Sequence, residues 1–468
     1  MTPVQTSADN PAASECARAL NPAHSEPRRA NAPSLAWIVA ASSLGSLIEW
    51  YDFYLYGSLA VFLGGQFYPD RAGNFGILMS LTTMAVGFAI RPLGGLVFGR
   101  LGDGVGRKNA FVLSLVLMGA ATTCTGLLPT YRTWGWMAPL LLITIRLLQG
   151  LAVGGEVGGA MTYVVEHAPE RKRGFYTGLL NVTGPLGIVL SLVVIYACRS
   201  IVGEEHFRQW GWRIPFLLSS VLLLLSLYFR LSLRETPVFE RLKSSGRLSR
   251  QPLRDTLLDP KNRATILAAT FGVTAGQAVM GVTSNVYATQ FMQAVLKIDI
   301  QTATFISTVA LVFSIPIYIL SGWLSDIVGR RKLMIAGMVC AIVFYVPIYM
   351  AMEFFSRPVN VAALCLLCWI QVSFTALIVG STFAFLTEIF PTRVRTTSVT
   401  IPFNIGNGII GGFSPLISLW LTFATKIAYI GLLYPIAVLL VTVCVNLVFI
   451  RETFMNRILD EVNEVSES

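Results

Sequence analysis

The chain has 468 residues, of which 13% are charged and 54% apolar, with a mean hydropathy of +0.65. Soluble domains carry about 25% charge, so this composition excludes an ordinary soluble enzyme or binding module. A formal net charge of +10 raises nucleic acid as a partner, but the basic residues follow the alternation of loops instead of forming one patch, which excludes that reading as well.

Residues 1–34 are polar and rich in Ala, Pro, Asn and Ser. They hold no hydrophobic stretch, so they are expected to be a disordered cytosolic tail and not a cleavable signal. Twelve apolar runs follow, at about 35–62, 75–98, 109–128, 138–164, 174–198, 212–232, 263–292, 302–324, 332–352, 360–387, 396–421 and 428–450. Each reaches the roughly 20 residues that carry a helix across about 30 Å of hydrocarbon. Without the strict alternation of a barrel strand they predict an all-α, multi-pass membrane protein. A cytosolic tail places 25 of the 35 Lys and Arg on the cytosolic side, nine of them between residues 230 and 263. That asymmetry puts both termini in the cytosol, including the tail 451–468.

Charges inside such spans cost a few kcal/mol and need a reason. The first span carries Glu49 and Asp52 on one helix face, the second Arg91, and the fourth Arg146, Gln149 and Glu156. The first span runs outward and the fourth inward, so Asp52 and Arg146 fall at similar depth, with Glu156 about 15 Å deeper along its helix. Asp52, Glu49 and Arg146 are candidates for proton coupling. Arg146, Arg91, Gln149 and Glu156 are candidates for holding a substrate. The plain alternative is that these charges form ion pairs that hold the bundle together.

Between the second and third spans stands Gly99-Arg-Leu-Gly-Asp103-Gly-Val-Gly106-Arg107-Lys108, and after the fourth Glu166-His-Ala-Pro169 with Arg171 and Arg173. The fifth span contains Gly184-Pro185-Leu186-Gly187, which is reminiscent of drug/proton antiporters. Ile188 and Val189 occupy positions where paired glycines are expected, which disfavours efflux. Glycines spaced as in Gly150, Gly154 and Gly158 allow close helix approach. A basic link, residues 233–262, follows the sixth span and is expected to lie along the membrane surface.

The second half repeats the first. Gly322-Trp-Leu-Ser-Asp326-Ile-Val-Gly329-Arg330-Arg331 returns the first turn, Glu388-Ile-Phe-Pro391 with Arg393 and Arg395 returns the second, and Arg451-Glu452-Thr453 returns Arg234-Glu235-Thr236. Whole halves, 35–232 and 263–450, are therefore duplicated, an arrangement that serves alternating access in transporters. Asp103, Arg107, Glu166 and Arg173, with Asp326, Arg330, Glu388 and Arg395, are expected to form an ion-pair gate at the cytosolic end. Mid-membrane polar residues of the second half are neutral: Gln277, Asn285, Gln371, Asn404 and Asn407. They are expected to orient a substrate by hydrogen bonds. Cys365 and Cys368 form a CxxC inside an apolar span and are read as packing thiols. The three histidines, at 24, 167 and 206, fall in the tail or near loops, so no metal centre or Ser/His site is expected in the membrane and no cofactor is implied.

The doubled Gly-x-Leu-x-Asp-x-x-Gly-Arg-Lys/Arg turn resembles that of the major facilitator superfamily over residues 35–450. The Glu-to-Arg pairs and the spacing from Arg146 to Glu166 are similar to its sugar-porter branch. Glu49-Trp-Tyr-Asp52-Phe53, Arg91-Pro-Leu-Gly-Gly95, Arg146-Leu-Leu-Gln-Gly150, Gly154-Gly-Glu156 and Trp210-Gly-Trp-Arg-Ile-Pro-Phe216 resemble the metabolite/proton symporters of bacterial inner membranes. Gly104 departs from that pattern, which commonly has Arg there. The resemblance implies a monomeric secondary transporter of two six-helix halves. It would import an osmoprotectant zwitterion, shikimate, 2-oxoglutarate, citrate or another carboxylate together with a proton, with Asp52 as proton carrier and Arg146 as its partner. A nutrient sensor with a transporter fold remains the other reading.

Overall fold

The computed structural model describes residues 35–69, 75–232, 235–245 and 252–454. The expected N-terminal tail, residues 455–468 of the C-terminal one, Arg71, Arg234 and the middle of the link fall outside the described residues. The described residues build twelve long helical rods. Those of the first half are α1 (Leu35–Phe67), α2 (Phe75–Ala89 continued as Arg91–Gly104), α3 (Arg107–Leu127), α4 (Met137–His167), α5 (Arg173–Asn181 continued as Thr183–Val202) and α6 (Arg213–Leu231). The second half repeats the series as α7 (Pro260–Ala294), α8 (Ile300–Val328), α9 (Arg330–Phe354), α10 (Val361–Ile389), α11 (Thr392–Thr425) and α12 (Leu433–Phe449). Among the described residues eleven helices are long and apolar enough to cross a membrane, and α1 adds a rod of 33 residues.

Local sequence explains where the rods break. Pro92, two residues into the second segment of α2, lacks the N–H that would bond back into the preceding turn, and α2 is interrupted at Ile90. Pro185, three residues past the break at Val182 in α5, likewise lacks a donor to the preceding turn. In α7 and α11 the α-ladder widens into π-helical turns at Thr270–Thr274, Thr283–Tyr287 and Ile405–Gly411. Such turns re-aim side chains and recur at functional sites.

The halves meet along two matching seams, α2 against α11 and α5 against α8. Small residues make both possible. A Cβ on Gly99 would stand 2.8 Å from Cα of Thr397, and one on Gly322 would stand 2.3 Å from the carbonyl oxygen of Gly174. The link also differs from the expected surface strap. Its helices Pro237–Ser244 and Pro252–Leu258 bury Val238, Phe239 and Leu242, and the second packs against α2 and the start of α11. Asn262 donates to Ser398 at 3.1 Å. Apolar burial, invisible in the basic composition of the link, draws it under the seam.

Candidate functional site

A cavity of about 210 Å³ lies between the halves and takes walls from α1, α2 and α5 on one side and α7, α8, α10 and α11 on the other. Glu49 and Arg91 are on its wall, and among the described residues Arg91 is the one Lys or Arg there. Trp50, Phe53, Tyr54 and Phe88 form an aromatic flank, with the guanidinium of Arg91 4.2 Å from the Phe88 ring centroid. From the second half come Gln277, Asn285 and Asn407. The Asn407 amide donates to Gln277 at 3.2 Å, so the π-helical turns of α7 and α11 bring two neutral amides together on the wall.

A second chamber, about 40 Å³, adjoins the cavity on the α1, α2 and α4 side, and Asp52, Arg146 and Gln149 line it. Arg146 donates to Asp52 at 3.1 Å, and Gln149 to the same oxygen at 3.0 Å. Each of these residues is nearly buried, and the Arg146 guanidinium lies 3.8 Å from the Tyr56 ring centroid. Asp52 and Arg146 do meet at one depth, as the opposed directions of α1 and α4 require. Arg146 and Gln149, expected to hold substrate, line the chamber and are not on the wall of the central cavity. Arg91 approaches Glu49 at 4.0 Å.

Glu156 is likewise not a cavity residue. It is fully buried and paired with Arg230 of α6, which is also fully buried, and Ser114 donates to it at 3.0 Å. The sequence reading left Arg230 among the cytosolic charges at the end of the sixth span. Gly45 on α1 makes room for it, since a Cβ there would fall 1.6 Å from an Arg230 nitrogen. Two further candidates sit away from the cavity. Asn404 donates to the Gly154 carbonyl at 2.7 Å and so ties α11 to α4. Gln371 is fully buried on α10. Asn181 and Thr375, which no sequence pattern marks, are also on the cavity wall. Neither carries a charge or a motif that would have singled it out.

At one end of the bundle all eight residues expected to form a gate come together. Arg107 pairs with Glu166, and Arg395 of the other half reaches the second oxygen of Glu166 at 3.0 Å. Arg330 pairs with Glu388 at 3.1 Å and with Asp326 at 2.6 Å. Arg173 of the first half approaches Glu388 at 3.8 Å. Asp103 accepts the main-chain N–H groups of Thr396 and Thr397, and Asp326 accepts those of Gly174 and Phe175. Carboxylates at helix N-termini are favourable partners for these otherwise unmatched donors. The repeated glycines have a double constraint. Gly106 and Gly329 sit at φ 133° and 108°, and a Cβ on either would press on the carboxylate of Glu235 or Glu452.

Family comparison matches the same duplicated architecture. The family model described as Sugar (and other) transporter covers residues 37–269, and that described as Major Facilitator Superfamily covers residues 269–458. The inner membrane metabolite transport protein YhjE of Escherichia coli (strain K12) is 34% identical, over 84% of this chain and 90% of its own. The chain belongs to the major facilitator superfamily. Another relative, the alpha-ketoglutarate permease of the same strain, is 35% identical over 82% of this chain and 86% of its own. The proline/betaine transporter of that strain is 33% identical over 88% and 81%. The structure of the proton:xylose symporter XylE bound to 6-bromo-6-deoxy-D-glucose superposes with a TM-score of 0.76 at 18% identity, covering 92% of this chain and 98% of that one.

As a major facilitator the protein is a secondary transporter of a small molecule and not an enzyme, a multi-pass protein of the inner membrane. The fold accounts for the division within the cavity. The charged wall residues, Glu49 and Arg91, come from the first half, whereas three of the four neutral amides, Gln277, Asn285 and Asn407, come from the second and Asn181 from the first.

Proposed function

We propose that the protein imports a small carboxylate-bearing metabolite, an organic acid or a zwitterion, by symport with a proton, working as a monomer with both termini cytosolic. The observation that carries this reading is Arg91. It is the cation on the wall of the central cavity among the described residues, and a guanidinium matches a carboxylate in a two-pronged way that an ammonium does not. The aromatic flank beside it suits the apolar body or quaternary nitrogen of such a substrate, and Gln277, Asn285 and Asn407 supply directed hydrogen bonds opposite. Relatives named for alpha-ketoglutarate and for proline and betaine agree with that chemistry.

Asp52 is the proton carrier in this reading. Arg146 is its ion-pair partner at 3.1 Å, and protonation of Asp52 removes that partner. The eight-residue network closes the cytosolic end while the cavity loads, and its inter-half bonds break on opening. The test is a thermal-shift panel of organic acids, betaines and aromatic acids on purified protein, because a true ligand stabilises by mass action. The hit is then followed in proteoliposomes with an imposed pH gradient. Stabilisation by a carboxylate and gradient-driven accumulation support the reading. A cation or a neutral sugar as the best ligand, or uptake indifferent to the gradient, overturns it.

A further inference from the structure

The side chamber has a chemistry of its own. Six buried polar atoms of its wall residues have no hydrogen-bond partner among the described residues: Oδ1 of Asp52, Oε2 of Glu49, Oε1 of Gln149, Nε of Arg91, and Nε and Nη2 of Arg146. Three are acceptors and three are donors. A metal cation would satisfy only the acceptors and an anion only the donors, whereas water does both. A space of about 40 Å³ has room for about one to three waters. Glu49 lines both the chamber and the central cavity, whereas Asp52 lines the chamber alone.

We propose that this chamber is a water site that relays the coupling proton between Glu49 and Asp52, with Glu49 as the acid through which the proton enters from the cavity. The inference rests on Asp52 as the proton carrier and adds its route. In the relay step the Glu49 carboxyl gives its proton to a chamber water, and that water, or its neighbour, passes one of its own protons to Oδ1 of Asp52. One O–H bond breaks and one forms at each water, which ends neutral. Glu49 becomes a carboxylate facing Arg91, and Asp52 becomes neutral beside Arg146. The charges facing the pair are Arg91 on α2 and Arg146 on α4. Farther along α4, Glu156 is neutralised by Arg230 of α6. α5 packs on α1 through Gly184 and Gly187 against Trp50. Tyr51 and Tyr56 are the neighbouring phenols on α1.

The test follows the carboxylic C=O infrared band of Asp52 after a pH step on the purified, ligand-free protein, the band being assigned by its loss in Asp52→Asn. Glu49→Gln is expected to slow the rise of that band by roughly a hundredfold, the scale of removing a positioned proton-transfer group, and Glu49→Asp to restore most of the rate. Val153→Leu fills the chamber from a wall residue that does not line the central cavity and is expected to slow the band with Glu49 intact. A wild-type rate in both Glu49→Gln and Val153→Leu overturns the relay and leaves Asp52 as carrier by another route. Absence of any Asp52 band from acid to alkaline pH overturns Asp52 as carrier and the relay with it.

Discussion

The carboxylate of Asp103, at the end of α2, accepts the main-chain N–H of Thr397 in the first turn of α11 at 2.8 Å. Asp326, at the end of α8, does the same for Phe175 in the first turn of α5, also at 2.8 Å. Each aspartate therefore caps a helix of the opposite half, and in the proposed gate the duplicated turn motif would serve as a reciprocal latch. A side-chain cap is worth about 1 kcal/mol, and about 1.4 kcal/mol is tenfold in an equilibrium constant.

Asp103→Ala is accordingly expected to shift the ratio of open to closed cytosolic end by roughly five- to tenfold, and Asp103→Asn, which keeps an acceptor, by less. Spin labels on the exposed residues Arg100 and Arg393, in opposite halves, report the distance distribution directly. Substrate affinity is expected to stay within a few-fold, because Asp103 is absent from the cavity wall. An unchanged distance distribution with impaired binding would contradict the latch.

The latch was legible in the sequence because duplication marks it. Motifs repeated in two halves point to paired positions, and the structure sets those pairs against each other. The buried charges were only half legible. Opposed helix directions place Asp52 beside Arg146, but no pattern says which way a guanidinium turns, so the sequence names both Arg91 and Arg146 as substrate candidates although only Arg91 is on the wall of the central cavity. Arg230 was hidden for a different reason. It lies one turn from the end of an apolar run, where Arg normally snorkels to the interface, and only the gap left by Gly45 draws it inward. The route of the link was illegible because three buried apolar side chains decide it against a basic background.

Arg91→Lys keeps the charge on the cavity wall and loses the two-pronged geometry. It is expected to weaken binding of the stabilising carboxylate by tenfold or more, about 1.4 kcal/mol or above. Arg146→Lys, away from the cavity, is expected to change the pH dependence of uptake more than affinity. Competition binding at several pH values separates the two, and the reverse assignment of effects would return the carboxylate to Arg146.

The Glu156 and Arg230 pair is expected to be structural. Either alanine variant leaves an uncompensated buried charge and costs about 3–5 kcal/mol, whereas replacing both with apolar residues of similar volume is near neutral. Thermal unfolding in detergent of Glu156→Ala, Arg230→Ala and the double Glu156→Leu, Arg230→Met protein measures this. Strict additivity of the single losses in the double variant would rule out the pair as a coupled unit.

Glu235 supplies a pH-dependent prediction outside the membrane-crossing helices. Burial raises its carboxyl pKa above the ordinary 4.5, against the downward pull of the Thr236 and Lys108 N–H groups and of Arg107. A carboxyl whose folded pKa is raised holds its proton more tightly when folded. Its contribution to stability is therefore complete below the unfolded value and is lost as pH rises through the folded value. Glu235→Gln has no proton to lose, and its amide oxygen still accepts from Lys108. The variant is expected to match wild type at acid pH and to become the more stable of the two as pH rises above about 4.5, with the gap levelling once Glu235 is fully ionised. Unfolding midpoints measured against pH for both proteins test the sign: a gap that closes with rising pH would mean that burial does not govern this carboxyl.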